Sequence, residues 1–259
     1  MKTQSLVLRL IFTFTIGVAF IVMIMMLFSS CKNEASGTPG TLQLKATTPK
    51  LFLKSGVLAS VGGATLTLDA AKVEIRNLKI EENSGNDVQN QSGNQSNDTG
   101  KDTATKSTKA ESADSGDILL SGPYLLDIIN GSASIDQVSV QPGTYKKVDF
   151  DFYAGNENNG HSIILSGIFT NAQGGIVPFT LTSDFSEAVQ LPLAGNGLQV
   201  NSGSITTISI LFDVNNWLST LDFNTANQAN GRINITKDEN TGLYLAFLSA
   251  LAKHIEIEN

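Results

Sequence analysis

Few residues in this chain are able to do chemistry. Cys31 is the only thiol, and His161 and His254 are the only imidazoles. Thiolate clusters and histidine-rich zinc or copper sites are therefore out of reach, and metal enzymology is not expected. No Gly-x-Ser-x-Gly elbow occurs: Ser166, in Leu165-Ser166-Gly167, is one glycine short and lies in an apolar stretch. Asp149 and Asp151 alternate with Val148, Phe150 and Phe152, which puts both carboxylates on one strand face about 7 Å apart. Such a pair can flank a glycosidic bond or hold a hard cation, and the same alternation also arises on any solvated strand face. Asp238-Glu239-Asn240-Thr241-Gly242 begins like a calcium loop, with oxygens at alternate positions and then a glycine. Ser249 stands where the bidentate carboxylate belongs, so a turn is expected there. Trp217 and Tyr153 are the candidates for a surface on which sugars stack, Tyr153 because it adjoins the Gly/Asn-rich stretch 155–160. Packing in the core or at its rim is the alternative use of both rings. His161 follows that stretch and reads as a solvated or capping residue rather than half of a catalytic pair.

Cys31 is the most informative of these residues because of what precedes it. Lys2 and Arg9 lead into an uncharged apolar run, 10–28, which ends in Ser29 and Ser30; this is the layout of a secretory signal peptide. The segment resembles a bacterial lipoprotein signal, with Phe28 where leucine is usual and Leu27 one place early. The resemblance implies cleavage of residues 1–30 and diacylglycerol on the Cys31 sulfur. The run also reaches the roughly 17–25 residues that span a bilayer, so an uncleaved N-terminal helix is the alternative. A structural thiol is a third use, but no core surrounds a cysteine set between a membrane run and a polar linker. The first two readings tether the rest of the chain to a membrane outside the cytoplasm; for a lipoprotein that is the bacterial cell envelope, at the outer membrane, facing the periplasm or the surface.

Loss of residues 1–30 leaves 15 Lys+Arg against 24 Asp+Glu, a net charge of −9. That balance repels phosphate backbones, and no basic patch interleaved with aromatics occurs, so nucleic acid is excluded as an expected partner. Without a second cysteine no disulfide is available, and stability must come from a hydrophobic core. No cofactor is implied.

The elements that would position these side chains are strands. Residues 31–40 are small and polar and read as a flexible tether, and a single β-sandwich domain is expected over 41–259. Leu42 and Leu44 alternate with polar residues, as do Leu66 and Leu68. Val73, Ile75, Leu78 and Ile80 alternate with a slip of one place at Asn77, which predicts a β-bulge that keeps all four on one face. The segment 83–116 is almost wholly polar and predicts a disordered loop inserted in the sandwich. Asn130-Gly131 between apolar runs predicts a hairpin with a type I′ turn, and residues 141–144 predict the next turn. Further strands are expected at 162–169, 176–182, 188–193 and 204–212, separated by Gly/Asn-rich turns, an antiparallel sandwich spacing. Asn215 is placed to cap a short helical turn, Ile233 and Ile235 mark a strand, and Leu243, Phe247, Leu248 and Leu251 predict a C-terminal helix.

The stretches VEIRNLKI at 73–80, YLLDIING at 124–131 and PGTYKKVD at 142–149 together resemble an uncharacterised family of bacterial lipoprotein domains. The resemblance covers roughly residues 41–212 and implies a β-sandwich of transthyretin-like or immunoglobulin-like form; that family has no established activity and brings no catalytic residues. The expectation is therefore an all-β, antiparallel, lipid-anchored module of the bacterial envelope that acts by non-catalytic binding, adhesion or structural support, with a glycan or an envelope protein as partner. Two alternatives stand beside it: a glycan hydrolase working through carboxylates such as Asp149 and Asp151, and a calcium-dependent binding module.

Overall fold

Alternating apolar residues write most of the chain into strands. A computed structural model describes residues 38–49, 58–59, 64–83, 111–112 and 116–258; the signal segment 1–30, Cys31 and most of the tether lie outside the described residues. The strands are β1 (Gly40–Thr47), β2 (Leu58–Ala59), β3 (Thr65–Glu82), β4 (Glu111–Ser112), β5 (Ile118–Leu120), β6 (Tyr124–Asp127), β7 (Ser132–Val140), β8 (Gly143–Phe152), β9 (Ile163–Thr170), β10 (Ile176–Ser183), β11 (Ala188–Pro192), β12 (Leu198–Val200), β13 (Ile205–Phe212), β14 (Ile233–Ile235) and β15 (Ile255–Glu258). Among the described residues two α-helices, α1 (Val214–Ser219) and α2 (Thr241–Leu251), and two 3-10 turns, Asn156–Asn158 and Phe223–Thr225, complete the set.

The strands form a two-sheet, all-β sandwich with a short helix near the C-terminus, as expected. One sheet has the order β15-β13-β1-β7. The other runs β11-β8-β3-β9-β10-β14, with β12 on β8, β2, β5 and β6 on β3, and β4 on β5. Two pairings are parallel, β1 with β13 and β10 with β14, where sequence spacing predicted antiparallel neighbours throughout. The inner faces supply Leu42, Leu44, Ile208, Ile210 and Phe212 from the first sheet, and Val73, Ile75, Leu78, Ile80, Val148, Phe150 and Phe152 from the second.

The slip at Asn77 is a bulge. The β3–β8 register shifts between Arg76 and Lys79, Asn77 takes a left-handed φ of 53°, and Val73, Ile75, Leu78 and Ile80 are all buried. Asn tolerates that backbone because its short polar side chain bonds locally, which a β-branched residue cannot do.

Several expectations are corrected. Asn130-Gly131 does not close a hairpin: β6 pairs with β3 and β7 with β1, so the turn carries the chain from one sheet to the other. Of the pair only Gly131 has a positive φ, 93°, and its amide donates to the Ile128 carbonyl at 3.0 Å. Ile128 and Ile129 are buried, and burying both is what draws the chain across the core edge. Within 83–116, Glu111–Ser112 is a short strand on β5, while most of that segment lies outside the described residues. The cap of α1 is Asp213, whose carboxylate accepts the Asn216 amide at 3.1 Å, and not Asn215. After α2 the chain adds β15, which pairs with β13.

Aromatic rings join the layers. Phe212 contacts Phe150 at 6.1 Å, Phe152 at 6.4 Å and Trp217 at 6.1 Å between centroids, and Trp217 continues to Phe247 of α2 at 6.1 Å. Truncating Phe212 to alanine opens a cavity between both sheets and α1, so the urea-unfolding free energy of Phe212→Ala should fall by about 3–5 kcal/mol. At the bulge, Asn77→Val should be less stable than Asn77→Gly by about 1–2 kcal/mol, because both lose the side-chain amide but only valine suffers at positive φ.

Candidate functional site

The chemistry-bearing side chains gather on the outer face of β3 and β8. Glu74 is the hinge of this region. Its amide donates to the Ser162 carbonyl at 2.8 Å and its carbonyl accepts the Tyr153 amide at 2.9 Å. In an extended strand these two groups of one residue point the same way, so β8 and β9 lie end to end along a single edge of β3. The loop 153–162 bridges the break and folds over the outer face.

That loop buries Glu74 completely, at 0% exposure. One carboxylate oxygen, Oε2, accepts the Gly155 amide at 3.3 Å, while Oε1 is buried without a partner. A Cβ at position 155 would run into Glu74 Oε1 and the Tyr153 ring, so a larger residue there would have to displace both side chains. Burial raises the Glu74 pKa above the ordinary glutamate value; the Gly155 and Asn158 amides oppose that rise and Glu157 adds to it. The loop contains a 3-10 turn, Asn156–Asn158, ended by Asn159 in the left-handed conformation. The Asn158 side chain is 1% exposed with Nδ2 unpartnered, and Nδ1 of His161 is also buried without a partner. The exit of the loop is tied down by Ser162, whose amide and hydroxyl both donate to the Ser183 carbonyl, at 2.8 and 3.1 Å.

Tyr153 is half-buried, and the Arg76 guanidinium lies 4.3 Å from the centre of its ring. Its face is occupied by a cation within the chain, a cation–π contact, rather than left bare for a sugar. Trp217 is corrected outright: it is fully buried between Phe212 and Phe247, and its Nε1 donates to the His254 carbonyl at 3.3 Å, so it packs the core and offers no surface.

Asp149 and Asp151 share the outer face of β8 but have different partners. Asp151 accepts the Asn77 side-chain amide at 2.7 Å. Asp149 belongs to an ion ladder across β8 and β3: Lys147 reaches Asp149 at 3.0 Å and Glu81 at 3.1 Å, and Lys79 reaches Glu81 at 3.0 Å and Asp117 at 3.1 Å. This face is drier than alternation alone implies, with the Asp149 side chain 18% exposed and its Oδ1 buried without a partner. In Glu81 burial works against ionisation, but the hydrogen bonds from Lys79 and Lys147 outweigh it and the pKa is lowered. A second ammonium, Lys79, is held charged chiefly by its bond to Glu81.

The Asp238–Gly242 stretch is the turn between β14 and α2. Asn240, at φ 51°, spends its side chain on the backbone: its oxygen accepts the Asn227 amide at 2.7 Å, and its nitrogen donates to the carbonyls of Asn227 at 3.0 Å and Asn234 at 2.6 Å. Asp238, Asn240 and Thr241 line an open groove of about 430 Å³ there. Among the described residues no three His, Cys, Asp or Glu side chains converge as a metal ion would require.

Glu74 was not visible as a special residue in sequence. Placed between Val73 and Ile75, it reads as one more solvated outward carboxylate, and only the loop from a distant part of the chain covers it.

No protein-family model matches the chain, and no curated protein matches it. Among solved structures, MbnP from Methylosinus trichosporium is similar at 10% identity, covering 76% of this chain and 83% of that chain, with a TM-score of 0.32. Among the described residues no helix is long and apolar enough to cross a membrane.

The ladder has a pH signature. Because the folded-state pKa of Glu81 is lowered from its ordinary 4.5, its contribution is present above that value and is lost as pH falls through the folded one. The melting temperature should therefore drop on acidification from pH 7 to about 3, and Lys147→Met, which removes one of the two ammonium partners, should drop less steeply. Equal slopes in the two proteins would show that the ladder carries no pH-linked stability.

Proposed function

We propose that this chain is a lipid-anchored, extracytoplasmic β-sandwich of the bacterial cell envelope that works as a non-catalytic binding module. The observation that carries the reading is Cys31, set directly behind the apolar run 10–28 and Ser29-Ser30, with a short polar stretch before β1 begins at Gly40. The resemblance of 73–80, 124–131 and 142–149 to an uncharacterised family of bacterial lipoprotein domains points the same way. Acylated at Cys31, the domain is held at the outer membrane, facing either the periplasm or the surface.

The binding face is the outer side of β3 and β8 with the loop 153–162. Its exposed groups are Arg76, stacked on Tyr153, and Asn77, bonded to Asp151, a charged and hydrogen-bonding surface suited to a glycan or to a polar segment of an envelope protein. A hydrolase working through Asp149 and Asp151 is disfavoured by their commitments: Asp149 is paired with Lys147 and Asp151 is bonded to Asn77, so neither stands as a free nucleophile.

The test is fractionation of cells making the wild-type and Cys31→Ala proteins, with mass spectrometry of the mature N-terminus. The wild type should sit in the membrane fraction carrying diacylglycerol on Cys31, and Cys31→Ala should lose both the lipid and the membrane. Membrane retention of Cys31→Ala would replace the lipid anchor with an uncleaved helix. Protease shaving of intact cells then separates a surface location from a periplasmic one.

A further inference from the structure

The loop 153–162 is pinned at both ends and held in the middle by one titratable side chain. Its ends are fixed by backbone bonds, from Tyr153 to the Glu74 carbonyl at 2.9 Å and from Glu74 to the Ser162 carbonyl at 2.8 Å. Its middle reaches the sheet through the Gly155 amide on Glu74 Oε2 at 3.3 Å. Three of the five buried side-chain atoms that have no hydrogen-bond partner among the described residues belong to this loop or to the residue it covers: Asn158 Nδ2, His161 Nδ1 and Glu74 Oε1. Concentrating unpartnered polar atoms under one surface loop makes that loop the cheapest part of the fold to open, because opening returns each of them to water. The cost of staying shut depends on charge. A protonated Glu74 leaves a neutral oxygen dry, whereas an ionised one leaves part of an anion dry.

We propose that residues 154–161 form a proton-operated flap, seated when Glu74 is protonated and lifted when Glu74 is ionised, and that lifting exposes the Glu74 carboxylate, the Asn158 amide and His161 Nδ1 beside Arg76 and Tyr153. This goes beyond the envelope reading and does not depend on it, since it uses contacts within the sandwich alone.

The groups that bear on Glu74 come from four sides. On β3 itself they are Lys72 and Arg76; on β6, which pairs with this part of β3, Asp127, since Tyr124 lies on the inward face and bonds Asp136; on β8, Asp151; and on the loop, Tyr153, Glu157 and His161. Arg76 is stacked on Tyr153 and stands opposite Asp151 in the β3–β8 register. Glu157 disfavours an ionised Glu74. Burial, the leading influence, raises the Glu74 pKa with the flap shut. The shut state therefore binds the proton more tightly than the open one; shutting is favoured at low pH and lost as pH rises through the shut-state pKa.

Hydrogen exchange of the full chain in detergent from pH 4 to 8, each rate divided by its intrinsic value at that pH, reads this directly. Protection at the Gly155, Asn158 and Gly160 amides should fall as pH rises, by up to about tenfold per pH unit through the titration, the limit for one linked proton. Protection at Leu165 in β9 should stay constant. Glu74→Gln, which keeps an acceptor for the Gly155 amide and removes the charge, should be protected at a constant level. A pH dependence that belongs to His161 or Glu157 would persist in Glu74→Gln, and that result overturns the proposal, as does flat protection in the wild type. Carbon-13 observation of the Glu74 carboxyl in the wild-type chain supplies a check independent of the variant's folding: a titration midpoint different from that of the exchange data also overturns it.

Discussion

Everything in the second sheet hangs from the length of β3. Eighteen residues in one strand give it two edges long enough to carry β8 and β9 end to end on one side and β2, β6 and β5 on the other. A strand of that length twists strongly, and a regular two-residue period cannot keep one face on the core throughout. Of the three register shifts in β3, the one between Glu81 and Glu82 lies at the end of the strand, and the other two relieve the conflict, one between Leu68 and Ala70 against β9 and one around Asn77 against β8. Each resets which side chains face inward, so that Leu66, Leu68, Ala71, Val73, Ile75, Leu78 and Ile80 all reach the core. The break between β8 and β9 falls between these shifts, at Glu74.

This arrangement accounts for both the core and the site. Inward, β3 and β8 present a continuous apolar surface on which Phe212 of the facing sheet rests, and the ring contacts extend through Trp217 to α2. The helical tail is thus part of the same core, and β15 returns beside β13 to finish the first sheet. Outward, the same two strands carry the ion ladder from Asp149 to Asp117, and the strand break throws a loop across Glu74. The outer face combines a charged ladder with a covered carboxylate a few residues away, and the balance of burial against partners separates them: in Glu81 two ammonium groups outweigh burial and it is ionised more readily than usual, whereas in Glu74 burial outweighs the amides that reach it and it is ionised less readily.

The strands were largely legible. Alternation located β1, β3, β8, β9, β10, β11 and β13, the slip at Asn77 announced its bulge, and the i, i+4 spacing of Leu243, Phe247 and Leu251 announced α2. Partner choice was not legible. Asn130-Gly131 has hairpin chemistry, yet the buried Ile128 and Ile129 send the flanking strands into different sheets, and nothing local distinguishes those outcomes. Short strands such as β12 and β15 also escaped, because three or four residues carry too little period to stand above a turn. Of the candidate site residues, Asp149 and Asp151 share the outer face of β8 as their alternation implied, Tyr153 beside the 155–160 stretch is half-buried under Arg76, and Trp217 went to the core because a lone large aromatic buries more area there than on a rim.

What the sequence determined by itself is whatever depends on local chemistry and period: the N-terminal apolar run before a single thiol, an acidic chain without a disulfide, alternating strands, and an asparagine at the one place in β3 where φ turns positive. What only the tertiary structure decided is solvation and partnership. Glu74, Glu81 and Asp149 look alike on paper, each an acid that follows an inward-facing apolar residue of a strand. One is sealed under a loop, one is held between two lysines, and one keeps an oxygen dry beside Lys147. The difference arises because the charge state of a carboxylate depends on the water and the donors around it, and those are brought by segments distant along the chain.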